Sequence, residues 1–140
     1  MTFEEFKNII NEKFPEVTAE QMEQFKKMDA LYRDWNSKIN VVSRKDIDEL
    51  YRHHVLHSLG IAAYLKTMMP DIYDRLRAEG VYAAALPMKI LDLGTGGGFP
   101  GIPLAVMFPG AHFTLCDSIG KKNTVAREVA AGLGLKNVTT

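Results

Sequence analysis

The stretch Met88–Pro103, Met-Lys-Ile-Leu-Asp-Leu-Gly-Thr-Gly-Gly-Gly-Phe-Pro-Gly-Ile-Pro, leaves this chain few choices of fold. An apolar run from Ile90 to Leu93 meets a burst of glycine, and the apolar pattern resumes at Ile102. That order predicts a buried strand, a tight loop and the start of a helix. Glycine is needed where the backbone takes positive φ or where a ligand must touch the main chain. Pro100 and Pro103 suit a first helical turn, whose N–H groups have no partner in the helix.

Two glycine patterns overlap in the loop. Gly96-x-Gly98-x-x-Gly101 satisfies the dinucleotide pattern, and Asp92-x-Gly94-x-Gly96-x-Gly98 satisfies another. The second fits better. Leu93 ends the strand, so the turn begins at Gly94, and the sixth position from there is Phe99 rather than glycine. Asp92 also sets a carboxylate at the carboxyl end of the strand, beside the ligand crevice, where it repels a pyrophosphate but not a cationic donor. The run therefore resembles the first motif of S-adenosylmethionine-dependent methyltransferases.

The chain has 140 residues, 46% of them apolar and 24% charged, which fits one globular domain or a domain with an appendage. Formal net charge is zero, so nucleic-acid contact requires a local patch rather than a global field. The single cysteine, Cys116, rules out a disulfide framework within the chain, points to a reducing compartment and, inside an apolar run, reads as inert core. No apolar stretch approaches membrane-spanning length, and Met1 is followed by Thr-Phe-Glu-Glu rather than a basic leader. A cytoplasmic protein without membrane contact is the expectation.

From the start of the chain, Thr2-x-x-Glu5 and Thr18-x-x-Gln21 are capping boxes, each opening a helical stripe. The first stripe is Phe3, Phe6, Ile9, Ile10 and Phe14; the second is Met22, Phe25, Met28, Tyr32 and Trp35. These aromatics read as helix–helix core. Ser43-x-x-Asp46 caps a further helical region up to Pro70, either one helix or two with a break near His53. Asp71–Glu79 is a short helix ended by Gly80, and Val81–Pro87 an Ala-rich linker. After the glycine loop come a helix over Ile102–Phe108, a strand over His112–Cys116, a helix over Lys121–Leu133 and the start of a third strand at Asn137–Thr140. Strands alternating with helices imply a parallel sheet. The expected organisation is a helical segment over residues 1–86, then the first part of a Rossmann-like α/β sheet over residues 87–140.

Asp117, at the tip of the second strand, is placed to accept hydrogen bonds from ribose hydroxyls. Lys121 and Lys122 read as solvated, with phosphate contact as the lesser option. Arg44, Lys45, Arg52, His53, His54 and His57 form a basic run, readable as a solvated helix face with packed histidines or as an RNA-facing patch. No carboxylate or cysteine set accompanies the histidines, so no metal site is expected. No nucleophile–base pair is legible either. Methyl transfer to an aromatic ring nitrogen needs none, because the lone pair is already present; the site has only to align the reacting atoms.

Several stretches together resemble one family: Asp92–Ala105, Asp117-Ser-x-x-Lys-Lys122, Leu133-Gly-Leu-x-Asn-Val138, Trp35-Asn-x-x-x-Asn40 and His54-x-Leu-x-Ser-Leu59. The chain is similar over nearly its whole length to the glucose-inhibited division protein B family, the small-subunit ribosomal RNA guanine-N7 methyltransferases. Gly-Phe-Pro-Gly-Ile-Pro-Leu-Ala is the most specific mark. The resemblance implies a helical N-terminal portion, a methyltransferase fold, bound S-adenosyl-L-methionine, and a guanine of small-subunit ribosomal RNA or the small ribosomal subunit as substrate. It puts Gly94, Gly96 and Phe99 at the donor with Asp117 on its ribose; Asp92, Thr95 and Gly98 of the same motif are assigned with them. Arg44, Arg52, His53 and His54 are the RNA-contact candidates.

Two features depart from the family pattern. His57 stands where many members carry Asp, and the chain stops at Thr140, after about two βα units of on the order of 30 residues each. Members continue for several strands, so the expectation is an N-terminal fragment, inactive alone and prone to self-association through its uncovered sheet edge. Two other readings are a non-catalytic adenosyl-ligand or RNA-binding module and an NAD-dependent oxidoreductase. Asp92 and the Phe-Pro after the loop disfavour the second of these.

Overall fold

The computed structural model describes residues 1–80 and 85–140. Helix α1 (Phe3–Lys13) and helix α2 (Ala19–Asn36) each begin with the expected capping box, Thr2 with Glu5 and Thr18 with Gln21. Their apolar stripes meet in one cluster: Phe6 packs edge-on against Phe25, and Phe3 and Phe6 lie against Tyr51, at centroid separations of 5.0–5.5 Å. These rings are core, as their spacing indicated.

The basic region resolves differently from either expected form. Ser43 caps a single turn, α3 (Arg44–Ile47), and a π-helical stretch over Leu50–Leu56 then runs without interruption into α4 (His57–Met68). The discontinuity falls at Asp48–Glu49 rather than near His53. A π-helix has a wider turn than an α-helix. It still sets Leu50, Tyr51 and Val55 inward in one buried set. Helix α5 (Pro70–Arg77) starts on its own proline and is followed by Gly80 at φ +111°. Part of the Ala-rich linker, residues 81–84, lies outside the described residues.

Three strands, β1 (Met88–Leu93), β2 (Ala111–Cys116) and β3 (Val138–Thr139), pair in parallel in that spatial order. Met88 stands opposite Ala111 and Phe113 opposite Val138. Helices α6 (Gly101–Met107) and α7 (Gly120–Gly132) make the crossovers. Parallel neighbours need such crossovers, and the α/β class follows.

Every residue of α6 is buried. Gly-Ile-Pro-Leu-Ala-Val-Met is apolar around its whole circumference, so it cannot lie on a surface. The sheet covers one side of it, and α2 and α4 cover the other. Gln21 donates from its side chain to the Val106 carbonyl (2.9 Å), and Gln24 to the Leu133 carbonyl (3.1 Å), tying α2 to the ends of α6 and α7. The side-chain amide of Asn137 reaches the carbonyls of Ala105, Phe108 and Ala111, each at 3.1 Å, satisfying groups that the end of α6 leaves open. One contiguous apolar core runs through helical segment and sheet alike.

The sheet is covered on one face. Ala111, Phe113 and Leu115 of β2 are buried, whereas on the opposite face Leu91 is 61% and Leu93 80% exposed. Cys116 belongs to this second face and is partly exposed, correcting the expectation that it lies in the core. Strand alternation fixes its side, and no described element covers that side.

Candidate functional site

The glycine loop opens at the carboxyl ends of β1 and β2. Gly94, Gly96 and Gly98 have φ of +77°, +60° and +119°. L-side chains rarely adopt such values, so these three positions require glycine. The main-chain N–H groups of Gly94 and Thr95 both donate to the Cys116 carbonyl, at 2.8 and 2.9 Å. The loop is thereby anchored to the end of β2.

The loop has two sides. A side chain built on Gly94 or Gly96 would meet nothing within 4 Å, so their backbone faces open space. Gly97, Gly98 and Gly101 face inward. A Cβ at Gly97 would come within 2.8 Å of Val41, at Gly98 within 2.5 Å of Ile102, and at Gly101 within 2.2 Å of Leu115. Only the outer pair is open to a ligand; the inner three allow close packing. Gly98 therefore sits on the inner side of the loop.

Asp92 and Thr95 also turn inward. One oxygen of Asp92, Oδ2, accepts from the Thr95 hydroxyl at 2.6 Å and from the Gly101 N–H at 2.9 Å. This oxygen latches the end of β1 to the start of α6 across the loop. The buried Thr95 hydroxyl is satisfied by the same contact.

Asp117 closes the other side. Its Oδ2 accepts from Gly96 N–H and its Oδ1 from Ile119 N–H, both at 2.9 Å. Those donors, Ile119 first and Gly96 second, hold its carboxyl below the usual carboxylate range. Each carboxylate oxygen has a second lone pair available for a further donor. Beyond Asp117, Ile119, Lys121 and Lys122 border a hollow with Lys38, Ile39 and Asn40, which come from the connector after α2.

The helical segment enters the site at residues that the sequence placed in a helix–helix stripe or in the Trp35-Asn motif rather than at the loop. Tyr32, fully buried, donates its hydroxyl to the Gly97 carbonyl at 2.9 Å, and its ring lies 4.8 Å from Phe99. Asn36 accepts from the N–H groups of Val41 and Val42, both at 2.9 Å, and so shapes the connector that carries Val41 to Gly97. The Asn36 member of the Trp35-Asn motif was the only legible hint. The Tyr32 contact spans 65 positions and leaves no local pattern.

The RNA-contact candidates differ in exposure and in partners. Arg44 is exposed, Arg52 lies 3.5 Å from Glu49, and His53 Nδ1 lies 3.0 Å from Asp46. His54 lies against the Phe99 ring at 5.0 Å, with its Nε2 buried, without a hydrogen-bond partner and 4.0 Å from Asp46 Oδ2. Burial pushes its pKa down from the ordinary value. The exposed charges are thus partly answered by Asp46 and Glu49, and half-buried His54 lines one cleft with His53 and His57.

The model of a family described as GidB, rRNA small subunit methyltransferase G, matches residues 20–140. Proteins named ribosomal RNA small subunit methyltransferase G are similar over most of the chain. One from Bacteroides fragilis (strain ATCC 25285) is 57% identical over 126 residues, covering 90% of this chain and 53% of the relative. One from Bacteroides thetaiotaomicron is 55% identical, covering 94% and 55%. One from Porphyromonas gingivalis is 54% identical, covering 94% and 52%. The chain spans about half the length of the curated relatives it matches.

Proposed function

This chain belongs to the GidB family, and we propose that it carries the donor-binding half of an S-adenosylmethionine-dependent methyltransferase acting on a guanine N7 of small-subunit ribosomal RNA in the cytoplasm. The observation that carries the proposal is the loop itself. Two open positive-φ glycines, Gly94 and Gly96, lie beside a strand-tip carboxylate hydrogen-bonded to one of them.

The residues fit an adenosyl donor. Gly94 and Gly96 let a ligand approach the main chain, and Asp117 retains acceptor capacity for ribose hydroxyls. Phe99, fixed from behind by Tyr32, offers a flat apolar wall. When bound, a sulfonium donor would supply an electrophilic methyl group to a ring nitrogen that already carries a lone pair, so no proton need be taken from the base. The residues therefore need only hold and align. Asp92 and Tyr32 fix the loop, Asp117 sets the ribose end, and Phe99 gives a wall against which the reacting atoms are aligned.

Methyl transfer to small ribosomal subunits, assayed for this chain and for a chain extended to its relatives' length, tests the reading. Turnover is expected in the extended chain only. Its absence from both would remove the enzymatic reading, and turnover by the 140-residue chain would show that the first half suffices. Titration with S-adenosylmethionine, S-adenosylhomocysteine and NAD tests the donor separately; binding of NAD alone would reverse it. A module that binds the adenosyl ligand without turnover is the second reading, favoured by the half-length match.

A further inference from the structure

A cleft of about 500 Å³ lies between α4 and the end of the glycine loop, bordered by His57, Gly60, Ile61, Tyr64, Phe99 and Pro100. Its α4 wall is apolar yet open to solvent: Ile61 is 46% and Tyr64 59% exposed. Buried stripes on α4 account for Leu59 and Ala62 but not for these two. The opposite wall is Phe99, whose ring is held in place by Tyr32 at 4.8 Å and His54 at 5.0 Å. Exposed Arg52 and His53 stand in the π-helical stretch that leads into α4, and His53 itself borders the cleft.

We propose that this cleft takes the acceptor base, a purine swung out of a single-stranded stretch of RNA, between Tyr64 and Phe99. The proposal rests on the reading of the glycine loop as the donor site and extends it to the substrate. Phe99 and Pro100 belong to the donor loop and to the cleft wall, so an occupant of the cleft lies next to whatever the loop holds. Flat aromatic walls suit a heteroaromatic ring, because sequence-specific RNA readers grip splayed bases by stacking them on aromatic side chains. Bases that undergo chemistry are likewise removed from their stack into a fitted pocket. Histidines at the rim add polar edges that a purely aliphatic occupant would not need. Half-buried His54, which lines the same cleft beside Phe99, has its pKa lowered by burial, and this disfavours a second positive charge next to a base that becomes cationic on methylation.

Gly60 supplies the test. A side chain added there meets no atom within 4 Å, and the position is inside α4, so Gly60→Leu puts bulk into the cleft without crowding the fold. The measurement is binding of a short single-stranded RNA carrying one guanine, against the same RNA with that position abasic, to the 140-residue chain and its variants. The guanine RNA is expected to bind roughly tenfold more tightly than the abasic one, the scale of one base stacked on an aromatic ring. Gly60→Leu and Tyr64→Ala should each abolish that preference while leaving S-adenosylhomocysteine affinity unchanged. No preference in the unmodified chain, or a preference that survives Gly60→Leu, overturns the proposal. So does a dimer that Gly60→Leu dissolves, which would assign the cleft to a second copy. Loss of adenosyl-ligand binding with the guanine preference intact would instead strike the donor reading and leave the base cleft standing.

Discussion

Tyr32 shows how much can rest on one hydroxyl. Its O–H is the only described partner of the Gly97 carbonyl that comes from the helical segment, and both groups are buried. Tyr32→Phe keeps the ring against Phe99 but leaves that carbonyl unanswered, so a loss of about 1 kcal/mol in urea melts is expected. Donor affinity should fall with it, because the loop loses a fixed point; an unchanged affinity would show that the loop holds its shape without α2. Asp117→Ala should weaken binding of S-adenosylhomocysteine in calorimetry, since it removes the ribose acceptor and the brace on Gly96 together. An unaltered dissociation constant would take Asp117 out of the site. His54 sets a pH dependence. Burial, then the nearby His53 and His57, lower its pKa from the ordinary 6.5, against the opposing pull of Asp46. The unfolded chain therefore takes up the proton first as pH falls. Its contribution to stability is fully present above about 6.5 and is lost as pH drops from there through the lowered folded value. Urea melts on both sides of 6.5 should show that loss in the native chain and a smaller one in His54→Gln.

At the scale of elements, the two faces of the sheet predict opposite responses to substitution. Leu115, fully buried on the α6 side, should cost about 2–5 kcal/mol when cut to alanine. Leu91, on the other face, should change stability by no more than about 0.5 kcal/mol when replaced by serine. Equal costs in thermal melts would mean that the second face is covered. The strand–loop–helix order was legible because each part carries a local signature: an apolar run, glycines at positive φ, and prolines in a first turn. The same holds for α1 and α2, whose capping boxes name their first residues. The π-helical stretch was not legible, because Leu50, Tyr51 and Val55 also satisfy an α-helical stripe and only the wider turn separates the two. In the candidate site, the strand-tip positions of Gly94, Gly96 and Asp117 could be read from their order along the chain. The inward turn of Asp92, Thr95 and Gly98 could not: their nearest partners are close in sequence, but the side of the loop that packs is set by contacts with distant residues. Leu115 below Gly101 and Val41 beside Gly97 are two such residues. Cys116 was misjudged for a related reason: an apolar strand tells that both faces can be buried, not that both are.

For the whole molecule, the consequence lies at β1. In the spatial order β1-β2-β3 it pairs with β2 on one side, and no described strand pairs with its other edge. Beside that edge stand Leu91 and Leu93, with exposed Leu86 just before the strand. A parallel sheet is stable in water when both faces are covered, and an open apolar edge invites another strand. The relatives are about twice as long as this chain, which is length enough for further strands and helices over the same face. The 140-residue chain is therefore expected to self-associate, with an average mass in sedimentation that rises with concentration. Replacing Leu91 and Leu93 together by lysine should return it to a monomer without unfolding it, since neither side chain supports the core. A chain extended to its relatives' length should be monomeric with both leucines in place. A native 140-residue chain that stays monomeric at high concentration would show that the edge is already protected, and the open-face account of β1 would fall with that result.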